Sequence, residues 1–118
     1  MFADDGKAES SKLTKKDKRR LRSEIIAERS RAIKKLETRI TALENEITAV
    51  EERLNNLNAE ILEASQAQDG PRIEMLSKSL HACSSAIDKL YAELEKQSAN
   101  YDVQRAAFDE RLEKVEKM

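Results

Sequence analysis

Tryptophan is absent from this 118-residue chain, and glycine (two), proline (one) and cysteine (one) nearly so. Aromatic residues make up only 3%, so the large rings that usually fill a compact globular core are missing. The lone cysteine, Cys83, excludes an intramolecular disulfide framework and carries no sign of secretion. No N-terminal run joins basic residues to an apolar stretch of roughly 7–15 residues, so no signal peptide is expected. Nothing approaches ~18 uninterrupted apolar residues, so no transmembrane helix is expected either. These absences point to a cytoplasmic protein or fragment with no membrane partner.

The scarcity of glycine and histidine also limits the chemistry. With only Gly6 and Gly70, neither a phosphate-binding P-loop nor a dinucleotide fingerprint can be assembled. His81 is the only histidine, and it stands two residues from Cys83, on a different side of any helix. Zinc needs three or four ligands, so the pair reads as an exposed histidine beside a small apolar plug. One histidine cannot supply a nucleophile, a base and a group to orient it. The chain is therefore expected to be non-catalytic and to hold no cofactor or metal.

What the chain does contain is charge and a repeat. Charged residues make up 38%, a level shared by disordered segments and by long helices. Periodicity separates the two. Apolar residues recur at Ile33, Leu36, Ile40, Leu43, Ile47, Val50, Leu54, Leu57 and Ile61, alternating steps of three and four. That is the seam of a coiled coil. A second run follows at Ile73, Leu76, Leu80, Cys83, Ile87, Leu90, Leu94, Gln97, Tyr101, Gln104 and Phe108. Between the runs lies Asp69-Gly70-Pro71, where Gly is expected to accept a left-handed cap and Pro to open the next helix.

Folding back at this break matches the seams if facing residues carry numbers adding to about 137. The layers then run Ile61–Leu76, Leu57–Leu80, Leu54–Cys83, Val50–Ile87, Ile47–Leu90 and Leu43–Leu94. Beyond them come Ile40–Gln97, Leu36–Tyr101 and Ile33–Gln104. The fold class predicted is all-α, an antiparallel two-helix coiled-coil hairpin closed within one monomeric chain rather than between two. The predicted layout is a flexible leader over 1–11, then a helix over about 15–66, a tip over 67–71 and a helix over 72–118. Gln97 and Gln104 are polar guests in the seam that either fix its register or are tolerated at its edge. Near the open end a strict seam would bury Arg29 and Arg111. Leu21, Ile25 and Leu112 lie beside it, so a local stutter is expected to rotate the seam and free the arginines.

Formal net charge is −1, but its distribution is uneven. Lys12, Lys15, Lys16, Lys18, Arg19, Arg20, Arg22, Arg29, Arg31, Lys34 and Lys35 are opposed in that stretch only by Asp17, Glu24 and Glu28. Such a segment suits contact with the phosphates of RNA or DNA. It contains no aromatic residue on which a base would stack. The competing reading is a solvated face on a protein–protein spacer or adaptor. The small residues Ser77, Ser79, Ala82, Ser84, Ser85 and Ala86, which would let another helix approach, support that alternative.

The stretch Lys12-Leu13-Thr14-Lys15-Lys16-Asp17-Lys18-Arg19-Arg20-Leu21-Arg22 resembles the lysine-rich lead-in to the C-terminal domain of ABC-F proteins, soluble tandem ATP-binding-cassette ATPases. The heptads from Ile33 to Leu54, the short tip and the returning helix are similar to that domain too, so the resemblance covers residues 12–118. It implies a fragment of a larger ATPase associated with ribosomes or other nucleic acid. ATP and Mg would belong to the parent's cassettes. None of the Walker or signature motifs matches a position here, so no ATP-site residue carries over; the transferable feature is the basic lead-in.

Overall fold

The computed structural model describes residues 14–118. The expected leader over 1–11, and Lys12 with it, lie outside the described residues. Two long helices pack against each other as an antiparallel hairpin: α1, Lys15–Gln66 (52 residues), and α2, Gly70–Lys117 (48 residues).

Capping fixes where α1 begins. The Thr14 hydroxyl accepts from the Asp17 amide at 3.1 Å, and an Asp17 carboxylate oxygen accepts from the Thr14 amide at 3.4 Å. The Thr14 carbonyl accepts the first helical bond, from the Lys18 amide at 3.0 Å. This reciprocal box satisfies two donors that the helix start would otherwise leave orphaned. Past it, no Gly or Pro interrupts α1.

The turn between the helices differs from the sequence expectation. Its loop is residues 67–69, and Gly70 and Pro71 fall inside α2. The left-handed residue is Gln68, with φ 56°, and Gly70 does not take a positive φ. The amide of Asp69 bonds the Ala64 carbonyl at 2.9 Å, and the amide of Gln68 bonds the Ser65 carbonyl at 3.1 Å. These two bonds form a Schellman cap with Gln68 in the place glycine usually takes. Asp69 then opens α2 at once: its carboxylate accepts from the Arg72 amide at 3.2 Å, its carbonyl from the Ile73 amide at 3.0 Å. Because one residue ends α1 and caps α2, no length remains for a five-residue tip. Gly70 serves a different need. A residue before proline is pushed out of the helical region by contact with the proline ring, and glycine has no Cβ to make that contact worse.

The chain divides into two units, residues Thr38–Ser98 and residues up to Glu37 with Ala99–Met118. In the first, Leu43, Ile47, Leu57 and Cys83 are buried, and Ile40, Val50, Leu54, Ile61, Leu76, Leu80, Ile87, Leu90 and Leu94 are half-buried. That is the predicted seam, extended by Ala64, which is wholly buried beside the loop. Tyr91 donates to Glu51 at 3.3 Å and Arg72 approaches Glu63 at 4.0 Å, both across the helix pair and close to the predicted register. Gln97 is half-buried, and its amide donates to Glu93 of its own helix at 2.9 Å.

In the second unit Ile33, Leu36 and Val115 are buried. The seam rotates where the stutter was expected: Ile25 is 3% exposed, whereas Ile26 is 48% exposed. Leu21 and Leu112 are half-buried and Arg111 is exposed. The rotation does not free Arg29. Its side chain keeps 34% exposure, and its Nε is buried with no hydrogen-bond partner. Arg29 reaches Asp109 at 3.5 Å through its terminal nitrogen, so the stem stays in the packing while the head leans outward.

Candidate nucleic-acid interface

The residues of this second unit hold fourteen Lys and Arg against nine Asp and Glu from position 14 onward, whereas Thr38–Ser98 holds six against eleven. The basic segment thus keeps its excess after α2 has packed beside it. Its members, however, are not equivalent.

Lys15, Lys18, Arg19 and Arg22 line one open groove together with Val115 and Glu116. Lys15, Arg19 and Arg22 are exposed and Lys18 is half-exposed. Glu116 is the single acid there, and it pairs with Arg22 at 3.0 Å. Arg20 lies on another side, lining a shallow depression with Asp17, Leu21 and Glu24 and standing 3.8 Å from the Asp17 carboxylate. Arg29 and Lys34 border a third depression with Ile26, Ser30, Ile33 and Glu37. Lys16, Arg31 and Lys35 are exposed and line none of these grooves. The structure therefore gathers Lys15, Lys18, Arg19 and Arg22 and separates the remaining candidates.

Cross-helix contacts that the sequence reading did not foresee neutralise part of the segment. Arg22 and Arg29 turn to Glu116 and Asp109 of α2. In the reverse sense Arg111 donates to Glu28 at 2.8 Å, with its guanidinium 5.3 Å from the centre of the Phe108 ring. Tyr101 donates to Glu37 at 3.4 Å. The Arg22–Glu116 and Arg111–Glu28 pairs are exposed and contribute little to stability by themselves. Lys15, Lys16, Lys18, Arg19, Arg31 and Lys35 make no ion pair with another described residue.

Two carboxyls titrate low because of this arrangement. The Thr14 hydrogen bond, from side chain and then backbone, holds the Asp17 carboxyl below the usual carboxylate range, and the charges of Arg20 and Lys16 add to it. The Arg111 hydrogen bond and charge do the same for Glu28. Both acids are therefore anionic at neutral pH and subtract from the local positive field. The Thr14–Asp17 box was legible as a helix start with T-x-x-D spacing. The Glu28–Arg111 pair follows only once the helices are in register.

His81 is exposed and Cys83 buried, and among the described residues no three His, Cys, Asp or Glu are placed to hold a metal ion. No described helix is long and apolar enough to cross a membrane. Comparison with protein-family models, curated proteins and solved structures finds no match to this chain.

Proposed function

We propose that the hairpin is a non-catalytic module that contacts the phosphate backbone of RNA or DNA through its basic segment, as the C-terminal part of an ABC-F-type ATPase working near ribosomal RNA. The carrying observation is the segregation of charge, with Lys15, Lys18 and Arg19 grouped on one groove and paired with no acid among the described residues. Clustered cations of this kind displace counterions from a phosphate chain and read no sequence. If the six cations with no ion pair to a described residue each neutralise one phosphate of duplex DNA, the log–log slope on salt is about −5.

The test is binding of generic duplex DNA and of structured RNA across a salt series. Replacing Lys15, Lys16, Lys18 and Arg19 together by Gln should flatten the slope by about 3–4 and weaken both nucleic acids alike. Helicity should hold, since Gln is a good helix former and Thr14 and Asp17 are untouched. Undiminished binding at low salt by a folded quadruple variant refutes the reading. A spacer or adaptor then takes first place, supported by the groove where Asn58, Ser77, His81 and Ser84 surround the half-buried Leu54 and Leu80.

A further inference from the structure

The open groove of the second unit holds four cations and one acid. Lys15, Lys18, Arg19 and Arg22 follow one another at steps of three, one and three residues, so they form a single stripe over two turns of α1. Glu116 is the acid that lines the groove with them. Its place is set by its neighbour: Val115, 4% exposed, is packed into the seam and holds the next residue at the groove's edge. The carboxylate there reaches Arg22 at 3.0 Å, with both side chains more than half exposed. Lys15, Lys18 and Arg19 form no ion pair with a described residue.

Within α2, Glu116 is an acid out of place. Glu110 and Glu113 each pair with the lysine four residues on, Lys114 at 3.4 Å and Lys117 at 3.0 Å, the order of charges that stabilises a helix. Glu116 has no such partner on its own helix among the described residues. It stands in the last turn, where the helix dipole is negative and disfavours a carboxylate. The exposed pair it makes with Arg22 adds little to stability. What the pair does change is the groove, because it covers a cation that a phosphate would otherwise neutralise. Given the phosphate contact proposed above, on which this rests, we infer that Glu116 is a built-in competitor for phosphate. It holds Arg22 out of the contact and sets the affinity of the groove below what four cations would give. Lys15, Lys18 and Arg19 bind, and the fourth cation is silenced by the chain's own carboxylate. The strength of the contact is thus adjusted from α2, not from the basic segment alone.

The experiment is binding of duplex DNA by the full chain across a salt series. Glu116→Gln should raise affinity at ~50 mM salt by about threefold or more and steepen the log–log slope by about 0.9, the mark of one additional phosphate contact. Its advantage should shrink about threefold between ~50 and ~200 mM salt, as one contact is screened. Combining Glu116→Gln with Arg22→Gln should return the slope to the parent's, since the gain comes from Arg22. Glu24→Gln controls for net charge: it removes an acid from the same stretch of α1 that lines a different depression, and should leave the slope unchanged. Circular dichroism should show every variant helical. If Glu116 only staples the two helices, Glu116→Gln leaves the slope as it was or weakens binding, and the inference is overturned while the phosphate contact stands. A double variant that keeps the gain, or a Glu24→Gln variant that steepens the slope equally, overturns it too. Failure of both the parent and Glu116→Gln to bind at low salt refutes the phosphate contact and the inference with it.

Discussion

Replacing Gln68 by Gly should stabilise this protein, although the residue is exposed and its side chain makes no hydrogen bond or ion pair with a described residue. Gln68 holds φ at 56° to complete the Schellman cap of α1. For an L-residue the left-handed region costs roughly 1–2 kcal/mol, because Cβ crowds the following carbonyl. Glycine has no Cβ and escapes that cost, but loses about 0.5–1 kcal/mol more conformational entropy on folding. The difference leaves a net gain of about 0.5–1 kcal/mol, or a rise in melting temperature of about 2–4 °C for a chain of this size. Gln68→Ala is the control: it keeps the Cβ and the strain, and should shift the midpoint little. Thermal and urea melts followed by circular dichroism measure both, with the urea midpoint rising for Gly and the slope unchanged. If glycine at 68 is neutral or destabilising, Gln68 is not the left-handed residue. The glycine two positions on would then be doing that work after all.

Leu43 is 1% exposed, and Leu43→Ala should cost about 2–4 kcal/mol by urea melting, the spread reflecting how far a two-helix seam can close over the gap. Thr14→Ala removes the cap of α1 and should cost about 1 kcal/mol; faster amide exchange confined to the first turn is the sign to look for. Lowered carboxyl pKa values at Asp17 and Glu28 mean that their stabilising effect is present above the ordinary carboxylate range and lost as pH falls through the folded-state values. Acid titration by NMR should show both carboxyls protonating below the unfolded chain's, and Arg111→Gln should bring Glu28 back up. Tyr91 has the opposite sign: its raised pKa contributes stability below the ordinary phenol pKa, lost as pH rises through the folded value. Phenolate absorbance should show it ionising late, and Glu51→Gln should make it ionise earlier.

The seam was legible because burial writes itself into the sequence at fixed intervals: from Ile33 to Leu94 every predicted layer residue is buried or half-buried. Ala64 escaped because an apolar pattern is read from large side chains, whereas beside a three-residue loop a small residue can be the one that is wholly covered. The loop was misread because Gly-Pro is a strong local signal for a cap. The backbone bonds decide otherwise, placing Asp69 so that it serves both helices. The rotated seam at Ile25 was inferable from the apolar residues lying beside the strict repeat. Arg29 was not, since the stem of an arginine can pack where its head cannot.

The basic segment shows where counting charges stops being enough. Sequence gives eleven cations in one stretch and cannot say which of them a second helix answers. Packing of α2 brings Asp109 and Glu116 to Arg29 and Arg22, and sends Arg111 to Glu28. Formal charge is unchanged by these pairs, yet the cations in them already have an anion beside them. A phosphate must displace that carboxylate or share the cation with it. Lys15, Lys16, Lys18, Arg19, Arg31 and Lys35 form no ion pair with a described residue, and four of these six fall within the first two turns after Thr14. Those turns are also where unpaired amides and the helix dipole present partial positive charge, at the start of α1. Side-chain and backbone electrostatics thus favour an anion in the same place, and Asp17, held ionised by Thr14, is the local opposition. The helix start is therefore stabilised by an anion of its own. Any phosphate bound there has to be strong enough, or multivalent enough, to bind beside it.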